Sequence, residues 1–143
     1  MMSKLSMSRP EKIVFSAYGH KIGKDFTPNM YISFEEMKVD SGVGKNFDLS
    51  TGEFKVFIEG IYEFNFHAGV CDEDTTIAIK RNGVTEFIIS NKDTDAHFPI
   101  YANWLMKLEK NDRIQLKVES GHVDAENNEG EHAIRMFSGK LLV

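Results

Sequence analysis

Apolar and polar residues alternate along most of the chain, and no stretch sustains the 3.6-residue stripe of an amphipathic helix, so the pattern predicts strands and an all-β fold. The clearest run covers residues 60–69. Tyr62, Phe64, Phe66 and Ala68 fall on one face, and Glu63, Asn65 and His67 on the other, as a half-buried strand requires. Ile61 is the apolar exception on the polar side. Just upstream, Phe54, Val56 and Ile58 alternate with Lys55, Phe57 and Glu59, and Glu59-Gly60 reads as a tight connection, which predicts a hairpin between these two runs. Ile77 and Ile79 alternate with Ala78 and Lys80, and Asn82-Gly83 then supplies the positive φ angles of a two-residue turn before a strand over 84–89. Trp104, Met106 and Leu108 alternate with Leu105, Lys107 and Glu109; after Lys110-Asn111-Asp112, Ile114, Leu116 and Val118 alternate with Arg113, Gln115, Lys117 and Glu119. That pair predicts a third hairpin. Weaker strands read at 13–18, 31–39 and 134–142. About eight to ten short strands in one chain call for a closed or two-layer antiparallel architecture.

Three stretches break the alternation and read as loops: 19–29, which holds Pro28; 40–46, rich in glycine; and 120–131, where Val123 and Ala125 are the apolar residues. None has the character of an interdomain linker. The expected organisation is a flexible tail over 1–11 and one globular domain over 12–143. Its 143 residues, 41% of them apolar, suffice for a single sizeable core, and 11 Phe, 4 Tyr and 1 Trp make that core rich in rings. With 17 basic and 22 acidic residues the net charge is −5, which gives no bulk attraction for nucleic acid or anionic lipid. No segment approaches the roughly 20 apolar residues of a membrane-spanning helix, and residues 1–10 offer no secretory leader. Cys71 stands alone, so neither an internal disulfide nor a paired-cysteine zinc site forms, and stability must come from packing.

Catalytic motifs find little purchase. Gly42-Val43-Gly44-Lys45 begins like a phosphate loop, but Asn46 stands where Ser or Thr is needed and no helix follows. His20, His67, His97, His122 and His132 are too scattered for paired-histidine metal motifs, and there is no Gly-x-Ser-x-Gly. Asp72, Glu73 and Asp74 beside Cys71 oppose a thiolate. Asp93 and Asp95, and the Asp72 to Asp74 run, read first as solvated loop charge; the alternative is a shared calcium ion. His122 and His132 with Asp124, Glu126, Glu129 and Glu131 form a mixed set whose spacing matches no closed metal site. A shallow glycan site would use an exposed aromatic such as Phe98, Tyr101 or Phe26.

One stretch carries a resemblance. From Phe47 through Phe54 to Gly60-Ile-Tyr62-Glu-Phe64-Asn-Phe66, the sequence resembles the signature of the C1q globular domain: an aromatic, six residues, Phe, five residues, then Gly-x-Tyr-x-Phe-x-aromatic. Val14-Phe15-Ser16-Ala17 is similar to that family's opening strand, Lys80-Arg81-Asn82-Gly83 to its mid-domain hairpin, and Phe137-Ser138-Gly139-Lys140-Leu141-Leu142 to its closing strand. The likeness covers about residues 12–143. Asp40 and Phe47 are separated by six residues where the family has four, which implies an enlarged loop, and no collagen-like stalk precedes the domain, so a stand-alone head is expected.

The resemblance implies an antiparallel jelly-roll β-sandwich of about ten strands, shared with the tumour necrosis factor family, with Phe15, Phe47, Phe54, Gly60, Tyr62, Phe64, Phe66, Phe137 and Gly139 as its core signature. It also implies a compact homotrimer. If Tyr62, Phe64 and Phe66 fill the core, Ile61, Tyr101 and Leu105 are apolar residues on an otherwise polar face, and they are expected to approach the trimer axis. No catalysis and no required cofactor are implied; calcium is the candidate ion, at Asp93 and Asp95. The expected partners are sister copies and a glycan or microbial surface ligand, read as pattern recognition in innate immunity, or in the alternative a cell-surface receptor engaged as a cytokine-like ligand. Nucleic acid and membrane insertion are not expected. The family implies secretion, while a lone cysteine leaves a cytoplasmic location open.

Overall fold

A computed structural model describes residues 12–19, 26–41, 46–70, 75–91, 100–124 and 135–143. Eleven strands are found among them: β1 (Val14–Gly19), β2 (Glu36–Ser41), β3 (Phe47–Asp48), β4 (Glu53–Lys55), β5 (Gly60–Val70), β6 (Thr75–Arg81), β7 (Val84–Asn91), β8 (Ile100–Leu108), β9 (Arg113–Ser120), β10 (Val123–Asp124) and β11 (Arg135–Leu141). They form two antiparallel sheets packed face to face. The first runs β10-β5-β11-β1-β2 with β8 also paired to β5, and the second runs β3-β4-β9-β6-β7. This is the two-layer antiparallel architecture that the alternation predicts and the jelly roll that the resemblance implies.

The period-2 faces follow the sequence. Tyr62, Phe64, Phe66 and Ala68 are fully buried, as are Phe54, Ile77, Ile79, Ile114, Leu116, Val118 and Phe137. Rings interlock across the gap between the sheets. Phe15 of the first sheet lies 4.8 Å from Phe54 and 5.0 Å from Phe47 of the second, between ring centroids, and meets Phe137 edge-on at 5.4 Å. Phe64 stacks on Trp104 at 5.6 Å and on Phe137 at 5.7 Å. Such pairs contribute about 0.5–1.5 kcal/mol each beyond the area they bury. Gly139 makes room for them: a Cβ there would stand 2.7 Å from one Phe64 carbon and 2.8 Å from one of Phe15. Gly60 is held in another way, since a Cβ on it would meet the Val143 carbonyl oxygen at 2.5 Å. Tyr62 alone of the cluster carries a hydroxyl, which donates to the Ile58 carbonyl at 2.5 Å, and burial pushes its phenol up to about 12.

Two of the three expected hairpins are not hairpins. β4 pairs with β3 and β9, and β5 with β11, β8 and β10, so residues 56–59 cross from one sheet to the other. β8 likewise pairs with β5 while β9 pairs with β4 and β6, so residues 109–112 also cross. The reason is that the two crossings bond to each other. The Val56 N–H donates to the Asp112 carbonyl (2.8 Å), and the Asn111 N–H to the Val56 carbonyl (2.7 Å). The predicted strand over 31–39 divides in the same manner, with Tyr31 bridged to Lys117 in the second sheet and β2 starting at Glu36 in the first. Within the 120–131 stretch expected as loop, β10 pairs with β5. The hairpin at Asn82-Gly83 forms as predicted, with φ of 54° and 83°, the positive pair its sequence suits.

Asp112 fastens this end of the sandwich. Its carboxylate accepts from Arg81 Nη2 (2.8 Å), Asn82 Nδ2 (2.9 Å) and the Glu109 N–H (2.8 Å). Burial pushes its pKa up, but the bonds from Asn82 and Glu109 and the charge of Arg81 outweigh burial and hold it below the ordinary value.

Two outcomes test this packing. Gly139→Ala should lower the unfolding free energy by about 1–3 kcal/mol in urea, because the added methyl would stand under 3 Å from ring carbons of both Phe64 and Phe15. Because the Asp112 pKa is depressed in the folded state, its stabilisation is present above the ordinary carboxylate range and is lost as pH falls through the folded value. Stability of the wild-type protein, followed by urea unfolding from neutral to acid pH, should therefore fall more steeply than that of Asp112→Asn.

Candidate functional site

Outside the core, the outer face of the first sheet is where the expected contact residues fall. Antiparallel register lines its outward side chains into rows. Asn103, Asn65, Ser138 and Ser16 make a central row of short hydrogen-bonding groups across β8, β5, β11 and β1. On one side of it run Tyr101, His67, Met136 and Tyr18, and on the other Leu105, Glu63, Lys140 and Val14. A low polar strip thus crosses the sheet between two taller rows.

The strip is tied by side-chain bonds. Asn103 Nδ2 donates to Asn65 Oδ1 (2.7 Å) and to Glu63 Oε2 (2.9 Å), and Lys140 Nζ stands 3.7 Å from Glu63 Oε1. The ion pair is solvent-exposed and contributes little by itself. The Tyr101 hydroxyl lies 3.4 Å from Asn65 Oδ1, and its ring meets His67 edge-on at 6.5 Å. Tyr101 and Leu105 stand furthest out of this face, 62% and 60% exposed, and Val39, opposite Ser16, is 45% exposed. Ile61, opposite Lys107, shares the face but is half-buried, and its backbone exchanges hydrogen bonds with Leu142 and Val143.

The structure therefore brings Ile61, Tyr101 and Leu105 onto one surface. Of the aromatics considered for a glycan site, Phe26 is 1% exposed and bridges Val123, so it is a core residue and not a platform. Phe98, the calcium candidates Asp93 and Asp95, the acidic run at Asp72, and Gly42 to Lys45 lie outside the described residues. Among the described residues, no three His, Cys, Asp or Glu side chains are grouped to hold a metal ion.

Arg135 is a buried charge that no motif in the sequence marks. It opens β11, is wholly buried, and donates through Nε to the Ser33 carbonyl (2.7 Å) and through Nη2 to Glu35 Oε2 (2.7 Å). Its guanidinium lies 4.6 Å from the Phe26 ring centre and 5.7 Å from that of Phe34, and Gly19 leaves the room it occupies, since a Cβ there would stand 2.3 Å from its Cζ. Burial pulls its pKa down and the Glu35 charge pulls it back up. A signal was available: position 135 shares the inward parity of Phe137 and Gly139.

The sequence profile of a family described as the C1q domain matches residues 14–142. Among solved structures, the globular domain of zebrafish complement 1qA protein superposes with a TM-score of 0.71 at 17% identity, covering 92% of this chain and 98% of that one. Eiger TNF from S. frugiperda gives 0.68 at 12% identity, over 94% of each chain. Murine APRIL at pH 5.0 gives 0.67 at 14% identity, over 92% of this chain and all of that one. At such identities the structural likeness is one of fold.

Removing the counter-charge from a wholly buried cation leaves it uncompensated and costs about 3 kcal/mol or more, whereas replacing Arg135 leaves behind Glu35, whose side chain is 25% exposed and reaches water. Glu35→Ala should accordingly lower the unfolding free energy more than Arg135→Met does, as read by paired denaturation curves.

Proposed function

The chain belongs to the C1q domain family, and from that premise we propose that it acts as a homotrimeric, non-enzymatic recognition head, with copies meeting across the outer face of the first sheet. The observation that carries this reading is the exposure of Tyr101 and Leu105 on the same outward face as Ile61, beside a strip of polar groups. Apolar groups so placed mark a subunit contact more often than isolated surface residues, and a closed rotation uses one such face in each copy. The ligand class that fits such a head is a patterned surface, a microbial or other glycan, met outside the cell. Three weak sites held together bind such a repetitive surface far more tightly than one. Calcium at Asp93 and Asp95 belongs to the same reading.

A second reading, a cytokine-like ligand for a cell-surface receptor, is favoured by the likeness to Eiger TNF and murine APRIL, whose TM-scores of 0.68 and 0.67 stand close to that of the complement head. A glycan array probed with and without calcium, set against receptor capture on cells, separates the two.

The assembly is tested first. Wild-type protein at micromolar concentration should sediment as a trimer. Leu105→Asp should sediment as a monomer with an unchanged β-rich circular dichroism spectrum. A monomeric wild-type protein defeats the reading.

A further inference from the structure

Asn82 and Gly83 form the turn between β6 and β7. Asn followed by Gly is chemically labile, because a glycine nitrogen has no neighbouring side chain to shield it from the asparagine carboxamide. Here a Cβ on Gly83 would meet nothing within 4 Å, so the turn stands open to water. The Asn82 carboxamide, in contrast, is held at both ends. Its Nδ2 donates to Asp112 Oδ1 at 2.9 Å, and its Oδ1 accepts from the Arg113 N–H at 2.8 Å. The Gly83 nitrogen can attack Asn82 Cγ only after the carboxamide rotates out of both bonds.

We propose that Asn82 is a deamidation site, restrained in the folded protein by Asp112 and the Arg113 amide, whose product unfastens the end of the sandwich that those groups hold. The deprotonated Gly83 nitrogen attacks Cγ; the new C–N bond closes a five-membered imide as the Cγ–Nδ2 bond breaks and ammonia leaves. Solvent water then opens the imide at either carbonyl, leaving an aspartate or isoaspartate at position 82. A donor that faced Asp112 Oδ1 becomes a carboxylate at the same place, and two carboxylates at hydrogen-bond distance repel. Asp112 also accepts from Arg81 and from the Glu109 N–H, so the disturbance reaches the crossing between β8 and β9.

The test follows the mass gain of the peptide containing residue 82 during incubation at mildly alkaline pH. Folded wild-type protein should convert roughly tenfold more slowly than the same chain held unfolded in guanidinium, since reaction must await local opening. Folded Asp112→Asn should convert several-fold faster than wild type, whereas Arg113→Ala, which keeps the backbone amide, should match wild type. If Asp112→Asn does not fold, Arg81→Ala takes its place, because it loosens Asp112 without touching Asn82. Asn82→Asp should lower Tm by several degrees. Equal rates in folded and unfolded wild type overturn the proposal. So does a folded Asp112→Asn or Arg81→Ala variant that converts no faster than wild type, or an Asn82→Asp variant as stable as the parent.

Discussion

The gap between the two sheets, filled by interlocked rings, is the constraint on which the rest of the molecule depends. Phe15, Phe64 and Phe137 come from the first sheet, and Phe47 and Phe54 from the second. They meet closely because Gly139 presents bare backbone between Phe15 and Phe64. Interiors packed to this density transmit strain, so the spacing of the sheets is fixed by ring thickness at this point. The outward side chains of β5, β8 and β11 are then presented on a rigid support, which a recognition surface requires.

How far this was legible depends on which physical rule each feature obeys. Face assignment obeys strand parity, a local property, and the alternation around Tyr62 and Trp104 placed inward and outward residues correctly, Leu105 and Tyr101 among the latter. Partnering is not local. Residues 54–59 and 60–69 alternate just as the arms of a hairpin would, yet Phe54 and Lys55 lie in one sheet, 60–69 in the other and 56–59 cross between them, because the backbone groups of Val56 find Asn111 and Asp112 instead of a neighbouring arm. Only at Asn82-Gly83 did the turn residues themselves dictate the connection, since positive φ at two successive positions admits few alternatives.

The candidate surface was legible to the same extent. Parity announced that Ile61, Tyr101 and Leu105 face outward, but the polar strip of Asn103, Asn65, Ser138 and Ser16 arises from the register of four strands that are far apart in sequence. No single-strand pattern contains it. Phe26 misled in the opposite direction: it sits in a polar stretch, but its bridge to Val123 and the Arg135 guanidinium against its ring draw it inside. Arg135 itself shows that parity can carry a charge into the core when a carboxylate and two rings await it.

The mutual bonding of the two crossings bears on how the chain reaches this state. Val56 meets Asn111 and Asp112 across more than a third of the sequence, and β1 must wait for β11 before its sheet closes. Local contacts that would nucleate early are scarce, and loop-closure entropy must be spent before these distant pairings return anything. The domain should belong to the slow class of folders, with the β6–β7 arm as the natural place for order to begin.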